Sequence, residues 1–383
     1  MRRIIITLAA LALIGPVIQV QADDPLFVPA SPVAVGRGSG EVVLADVNRD
    51  RHLDLITKHL LTRVVNVLLG DGRGRFTAAP DGPMKFAYEP GAIVLEDVNG
   101  DGVLDLVVAN KDAMKEYINV FLGKGNGGFS PAAGSPYTTG EAFQFYKPIV
   151  RIVDINEDGK RDIVTANGRG DRIVFLLGDG HGKFSTGPVM KLEPGPEQLY
   201  TFDFGDVDAD RHLDMVTATS RQGPNANRLV VRRGDGHGNF HDGPSVQVPA
   251  GPRVEALADM NGDQHLDVVL SQAEKGRVSV LLNTGQGVFT PAARSPYDIG
   301  REAFAVAVAD ANRDKLADLF VATGKSVTVL LGNGRTFAPA PGSPFRAGPG
   351  AYNVAVGDIN EDGKPDLVAS SFEGDSVTVL MGR

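Results

Sequence analysis

A nine-residue pattern, Asp-x-(Asn/Asp)-x-Asp-x-x-x-Asp, begins at Asp46, Asp97, Asp154, Asp206, Asp259, Asp310 and Asp358. The intervals are 51, 57, 52, 53, 51 and 48 residues. A short apolar run precedes each copy (EVVLAD, AIVLED, IVRIVD, YTFDFGD, VEALAD, AVAVAD, NVAVGD), and a second follows it (LDLIT, LDLVVA, RDIVTA, LDMVTA, LDVVLS, ADLFVA, PDLVAS). Self-similarity at one fixed period is the mark of a repeat architecture. Each unit is too small to bury its own apolar face and must bury it against its neighbours.

A third apolar run follows a variable turn (VVNVLLGDG, INVFLGKG, RIVFLLGDG, LVVRRGDG, VSVLLNTG, VTVLLGNG, VTVLMG). A fourth segment starts at an aromatic (RFTAAP, GFSPAA, KFSTGP, NFHDGP, VFTPAA, TFAPAP). The runs are short, rich in Val, Ile, Leu and Phe, and punctuated by Gly, Asp, Asn and Pro, so they read as strands. None has the length or the 3.6-residue period of a helix. Four strands per unit, repeated radially, predict an all-β fold: a seven-bladed β-propeller of four-stranded antiparallel blades over residues 23–383. The seventh unit stops after its third strand, at Met381-Gly382-Arg383. The missing fourth strand stands near the start, in LFVPASPVAVG (26–36), where Phe27 matches Phe129 and Phe289. Residues of about 25–36 are therefore expected to complete the last blade and remove an exposed edge. An open solenoid would need polar caps at both ends, and the sequence carries none.

The acidic loop lies at the corner between strands 1 and 2. Side chains at positions 1, 3 and 5 of a tight loop converge, and a position-7 carbonyl and a position-9 carboxylate complete an all-oxygen shell. Such a shell suits Ca²⁺. The loops 46–54, 97–105, 154–162, 206–214, 259–267, 310–318 and 358–366 are thus candidate sites for up to seven calcium ions. Their side-chain ligands are Asp46, Asn48, Asp50 and Asp54; Asp97, Asn99, Asp101 and Asp105; Asp154, Asn156, Asp158 and Asp162; Asp206, Asp208, Asp210 and Asp214; Asp259, Asn261, Asp263 and Asp267; Asp310, Asn312, Asp314 and Asp318; and Asp358, Asn360, Asp362 and Asp366. No His or Cys holds a ligand position, which disfavours zinc and copper. The loop is not an EF-hand, because position 12 lacks Glu and the flanks are strands. Gly at position 6 (Gly102, Gly159, Gly363) suits positive φ, so the loops at Asp97, Asp154 and Asp358 are expected to bind tightest. In the Asp206 loop, the extra charge of Asp208 is expected to offset Arg211.

The opening MRRIIITLAALALIGPVIQVQA has a basic start, an apolar run and small residues before a cleavage point after Ala22. It reads as a secretory signal peptide over residues 1–22, and hence as a secreted or periplasmic protein. No later segment approaches a membrane span. The chain has no cysteine, so disulfides and thiolate chemistry are excluded. Loss of Arg2 and Arg3 would take the net charge from −9 to −11. Three aspartates in each of seven loops, with Asp208, account for 22 of the 47 acidic residues. The acidity thus reads as metal ligand rather than as a preference for cationic partners.

With strands and loops placed, residues 25–383 resemble the FG-GAP/VCBS repeat family, as in the N-terminal propeller of integrin α subunits. The residues that carry the resemblance are the Asp clusters and the turns LLGDGRGRF (68–76), LLGDGHGKF (176–184) and RRGDGHGNF (232–240). It implies calcium on one face of the ring. It also implies a ligand-binding face on the other, made by the loops joining strands 4 to 1 and 2 to 3. Candidates on the 4-to-1 loops are Arg37, Tyr88, Glu89, Tyr146, Lys147, Glu197, Gln198, Tyr200, Arg253, Arg301, Glu302, Tyr352 and Asn353. Aromatic and charged residues on scaffolded loops commonly mark binding sites.

Other motifs are discounted. GKGNGG (123–128) leads into Phe129-Ser130-Pro131 rather than a helix, and Arg169-Gly170-Asp171 occupies a plain strand 2–3 turn. No nucleic-acid patch is present. The expectation is a monomeric, non-enzymatic binding or adhesion module for a protein or glycan. The alternative is a secreted polysaccharide-acting lyase or hydrolase working at the channel mouth through residues such as Glu197 and Tyr200. The absence of Trp disfavours sugar stacking, although Tyr can substitute.

Overall fold

The second strand of each unit is apolar almost without a break, as a strand covered on both faces must be. Asp54–His59, Asp162–Ala166 and Asp267–Gln272 are buried along their whole length. The computed structural model describes residues 24–111, 115–141, 149–166, 172–191, 198–220 and 227–383. The expected signal sequence, Tyr146, Lys147, Glu197 and the turn at 169–171 lie outside the described residues.

Seven antiparallel four-stranded blades form a seven-bladed β-propeller. Blade I is built from Ser39–Ala45, Asp54–His59, Val64–Gly70 and Phe76–Ala78 in sheet order. The first strands of blades II to VII are Pro90–Glu96, Ile149–Val153, Gln198–Gly205, Arg253–Ala258, Ala305–Ala309 and Val354–Gly357. Among the described residues the single helical element is a 3₁₀ turn, Ala273–Lys275. Seven apolar clusters hold the ring together, and each spans one blade interface. Val42, Leu55 and Leu68 of blade I meet Ile359, Val368 and Val379 of blade VII in one of them.

The ends of the chain meet as the repeat arithmetic predicts. Phe27 pairs with Gly382, Val28 with Met381 and Pro29 with Leu380, and Val33 and Ala34 pair with Val377 and Ser376. Phe27 is 2% exposed and sets its ring edge-on to Phe320 and Phe345, at 5.9 and 5.3 Å between centroids. The seam also closes on the axis side, where Val42 N donates to the Asn353 side-chain oxygen at 3.1 Å.

The fourth strand is less regular than expected. In five blades (I, II, V, VI and VII) it breaks in two, for example Phe129–Pro131 and Tyr137–Glu141, and both pieces pair with the same third strand. In blades II, V and VI a Ser-Pro turn fills the gap. Ser135, Ser295 and Ser343 accept the N–H of Val120, Val280 and Val329 through Oγ, at 2.9, 3.0 and 2.9 Å, and so replace the missing ladder acceptor. Blades III and IV lack this turn and keep one strand, Phe184–Lys191 and Phe240–Gln247.

Candidate metal centre

Every second strand starts at position 9 of an acidic loop, as the spacing predicts. The apolar residue at position 2 (Val47, Val98, Ile155, Val207, Met260, Ala311, Ile359) is buried in all seven and pins the loop to the core. Three backbone hydrogen bonds then recur in every copy. Position 6 N–H donates to the position-1 carboxylate, as Gly102 does to Asp97 at 2.7 Å and Arg211 to Asp206 at 2.9 Å. Position 7 N–H donates to position 5, as Val103 does to Asp101 at 2.8 Å. Position 2 N–H donates to position 9, as Val98 does to Asp105 at 3.0 Å.

These contacts curl the loop so that positions 4 and 6 both take positive φ. Position 6 does so whether it is Gly (Gly102, 78°) or not (Arg51, 73°; Lys315, 70°), and position 4 follows (Arg49, 65°; Glu157, 56°). The left-handed requirement at position 4 escaped the sequence reading. Arg, Ala and Glu stand there as well as Gly, so no residue type signals it.

The position-9 aspartates are fully buried. Each uses both oxygens on backbone N–H groups. Asp105 Oδ2 accepts Val98 N and Oδ1 accepts Gly123 N, at 3.0 and 2.8 Å. The pattern repeats for Asp54, Asp162, Asp214, Asp267, Asp318 and Asp366. Burial pushes Asp54, Asp105, Asp214, Asp267 and Asp318 up to about 6, against the pull of these N–H groups. Asp162 and Asp366 are raised for the same reason. Each oxygen retains a second lone pair, so the tie does not remove these carboxylates from a cation shell. It gives them a second role, tying strands 2 and 3 to the loop through backbone N–H groups.

At position 3 the amide is engaged within the loop in five blades. Asn48, Asn99, Asn261, Asn312 and Asn360 donate from Nδ2 to the position-5 carboxylate, at 2.8, 3.0, 2.9, 2.9 and 3.2 Å. Blade IV differs. The carboxylates of Asp206, Asp208 and Asp210 offer oxygens that all lie within 4.8 Å of one another. Asp206 Oδ1 and Asp208 Oδ1 are buried, and no donor reaches either with hydrogen-bonding geometry. Burial raises Asp208 above the usual carboxylate range and the charge of Asp210 adds to this, while Arg233 opposes it. Orphaned carboxylate oxygens are what a hard cation would satisfy, and an all-oxygen donor set fits Ca²⁺.

The histidines at position 7 have side-chain roles that the sequence did not show. His212 Nδ1 meets Glu157 Oε1 at 2.7 Å, and His52 Nδ1 meets Glu361 Oε1 across the ring seam. In both, the glutamate is position 4 of the preceding blade's loop. The hydrogen bond to glutamate raises each histidine above its ordinary value. The strand 3–4 turns also clasp the preceding loop: Gly74 N donates to Ile359 O at 3.1 Å and Gly287 N to Val207 O at 2.8 Å.

On the opposite face the expected residues divide. Arg37, Tyr88, Glu89, Arg301 and Glu302 are exposed, and Arg253 and Tyr352 are half-buried. Asn353 is tied to Val42 at the seam. Gln198 and Tyr200 lie on the first strand of blade IV. Tyr88 stacks on Tyr117 of the third strand of blade II (Lys115–Gly123), with centroids 6.2 Å apart. Phe304, Tyr352 and Phe372 form a second group, at 4.5 and 5.7 Å. Phe304 and Phe372 were absent from the sequence-derived set; Phe304 stands just before the first strand of blade VI, and Phe372 in the strand 2–3 turn of blade VII.

Four overlapping stretches, residues 154–217, 206–270, 259–321 and 310–369, match the family described as FG-GAP-like repeat, together more than half of the chain. Cartilage acidic protein 1 of Mus musculus is 28% identical over 167 residues, 40% of this chain and 25% of that protein. Integrin alpha-PS5 of Drosophila melanogaster is 29% identical over 217 residues, 52% of this chain and 19% of that protein. The chain thus matches a quarter or less of the length of these relatives. Among solved structures, BBS1N in complex with ARL6DN superposes with a TM-score of 0.61 at 13% identity, over 94% of this chain and 98% of that one. An Agrocybe aegerita protein that recognises non-reducing terminal N-acetylglucosamine superposes with a TM-score of 0.55 at 17% identity, over 90% and 87%. These two likenesses show the fold.

Proposed function

Because the chain belongs to the FG-GAP-like repeat family, we propose that it is an exported, calcium-stabilised binding module whose loop face, opposite the acidic loops, engages a protein or glycan. A β-propeller of this family suggests a binding or adhesion-type role. The observation that carries the binding reading is the pair of partly exposed aromatic groups on that face, Tyr88–Tyr117 and Phe304–Tyr352–Phe372. Flat aromatic faces on a rigid ring bury ligand area at little entropic cost. Export is supported by the basic-then-apolar N-terminal sequence, and no described helix is long and apolar enough to cross a membrane.

Calcium is supported by the oxygen-only loops and by the orphaned oxygens of Asp206 and Asp208. The residues at positions 1, 3, 5 and 9 would hold the cation, which neutralises charge that otherwise repels within each loop. Weak extracellular-type sites have Kd of roughly 10⁻⁴–10⁻³ M. At ten times Kd, one such site adds about 1.4 kcal/mol. Seven would add roughly 10 kcal/mol, comparable to a domain's whole net stability.

Two measurements test the reading. Chelation by EDTA is expected to lower the melting temperature, and an unchanged value refutes the calcium role. On a glycan and protein-surface array with calcium present, the chain is expected to retain a ligand that Tyr352→Ala loses. Turnover of a polysaccharide, lost in Glu197→Ala or Tyr200→Phe, would replace the binding reading with the enzymatic one.

A further inference from the structure

We propose that the acidic loop of blade IV is the tightest calcium site of this chain, with Asp206, Asp208 and Asp210 as its carboxylates and Arg233 holding Asp208 in place. The proposal rests on the calcium reading above and names which of the seven loops fills first.

The repeats themselves supply the first argument. Six blades pair Asn at position 3 with Leu or Met just before the residue that ends strand 3: Leu69, Leu122, Leu177, Leu282, Leu331 and Met381. Blade IV alters both positions, to Asp208 and Arg233. The two altered residues touch, with Arg233 Nε 2.8 Å from Asp208 Oδ2. Arg233 also donates to Gln286 O of blade V at 3.2 Å, so its guanidinium is anchored from two sides.

The second argument is what the ion pair leaves over. The Asp208 side chain is nine-tenths buried. Arg233 accounts for its Oδ2, while its Oδ1 and the Oδ1 of Asp206 are buried with no donor at full hydrogen-bonding geometry, and the nearby Asp210 N–H favours the charged form of Asp208. An ion pair that served only to join blades IV and V would not require two further acceptors to converge on Asp210. Arg233 balances one of the three carboxylates; the others still gather beside it, and a cation among them removes the cost of that repulsion.

The third argument is contrast. In the five loops noted above, the position-3 amide donates to position 5, a bond that a cation at that loop must displace or share. Blade IV, like blade III, has no such bond; it differs from every other blade in placing a carboxylate at position 3, and Arg233 fixes that side chain. Ligand charge and site rigidity are the two quantities that set Ca²⁺ affinity in acidic loops. Gly at position 6 does not by itself separate the loops in backbone geometry. Arg211 takes a φ of 76°, close to the 78° of Gly102, so the loop geometry is reached either way.

The test is a calcium titration of the chelator-stripped full chain, by calorimetry and by native mass spectrometry. One step tighter than the rest is expected. The double variant D208N/R233L restores the Asn–Leu pair of the other blades and is expected to melt no lower than the unaltered chain in EDTA, because it removes a buried carboxylate together with the arginine that pairs with it. It should weaken the first step by about tenfold or more and leave the later steps in place. The converse variant N99D/L122R is expected to add a second tight step in blade II, and it keeps the test valid should D208N/R233L fold poorly. Equal steps throughout, or a first step unmoved by D208N/R233L, would overturn this assignment alone. No calcium binding by the unaltered chain would overturn the calcium reading together with it.

Discussion

Asp54 Oδ1 accepts the backbone N–H of Gly70 at 2.9 Å, and the same bond links position 9 to the last residue of strand 3 in every blade. Six of those seven last residues are Gly for a spatial reason. A Cβ on Gly70 would fall 2.2 Å from Leu53 O, and one on Gly178 would fall 2.1 Å from Arg161 O. Gly178→Ala is therefore expected to lower stability by about 1–3 kcal/mol through overpacking against backbone. A urea midpoint equal to that of the unaltered chain would refute the account.

Asp105 serves the fold before it serves a cation. Asp105→Ala strips the acceptor from the Val98 and Gly123 N–H groups, and Val98 N is buried. A buried donor left unsatisfied costs about 1–3 kcal/mol. The variant should therefore melt below the unaltered chain even in EDTA, and in calcium it should also bind one ion fewer. Equal melting in EDTA would show that the tie contributes nothing; unchanged calcium stoichiometry would show that Asp105 is no ligand.

Glu255 lies where blades V and VI meet, with Ser271 donating to its Oε1 and Val306 N donating to Oε2 at 3.3 Å. Burial raises it above its ordinary value of 4.5, against Ser271 and the charge of Arg253. The folded chain thus takes up this proton more readily than the unfolded one. The associated stability is full below about pH 4.5 and is lost as pH rises through the folded value. Glu255→Gln stays neutral at every pH. Its melting temperature should exceed that of the unaltered chain at pH 8, with the difference vanishing near pH 4. A constant difference across that range would remove the electrostatic explanation.

Phe27 is the anchor of the strand that closes the ring. Phe27→Ala leaves a cavity between Phe320 and Phe345 and should cost about 3–5 kcal/mol. Thermal unfolding measures it. A loss no larger than that of an exposed substitution such as Val288→Ala would mean that the closing strand does not carry stability.

The parts of this protein that were legible in its sequence are those set by neighbours along the chain. Alternating and continuous apolar runs gave the strands, and the nine-residue spacing placed each acidic loop at a strand corner. The odd fourth strand at Phe27 could be matched to the unfinished seventh unit by arithmetic alone. Positive φ at position 6 was readable from Gly102, Gly159 and Gly363, whereas the same demand at position 4 was masked by Arg49, Glu157 and Ala209. The broken fourth strand was hidden because Ser135 supplies a ladder acceptor only when it faces Val120 across the sheet.

Local sequence thus determined the number of blades, their strand order and the oxygen chemistry of seven loops, because repeat period and ligand spacing are properties of contiguous residues. Tertiary structure alone decided which partners those residues meet. Asn353, one of the expected ligand-face residues, is bonded to Val42, 311 positions away, and His52 is bonded to Glu361, 309 away. Asp208 gained Arg233, and its Oδ1 is buried without a donor at full hydrogen-bonding geometry. Closing a ring brings distant segments within hydrogen-bond range, and no periodicity along the chain records which side chains then face one another.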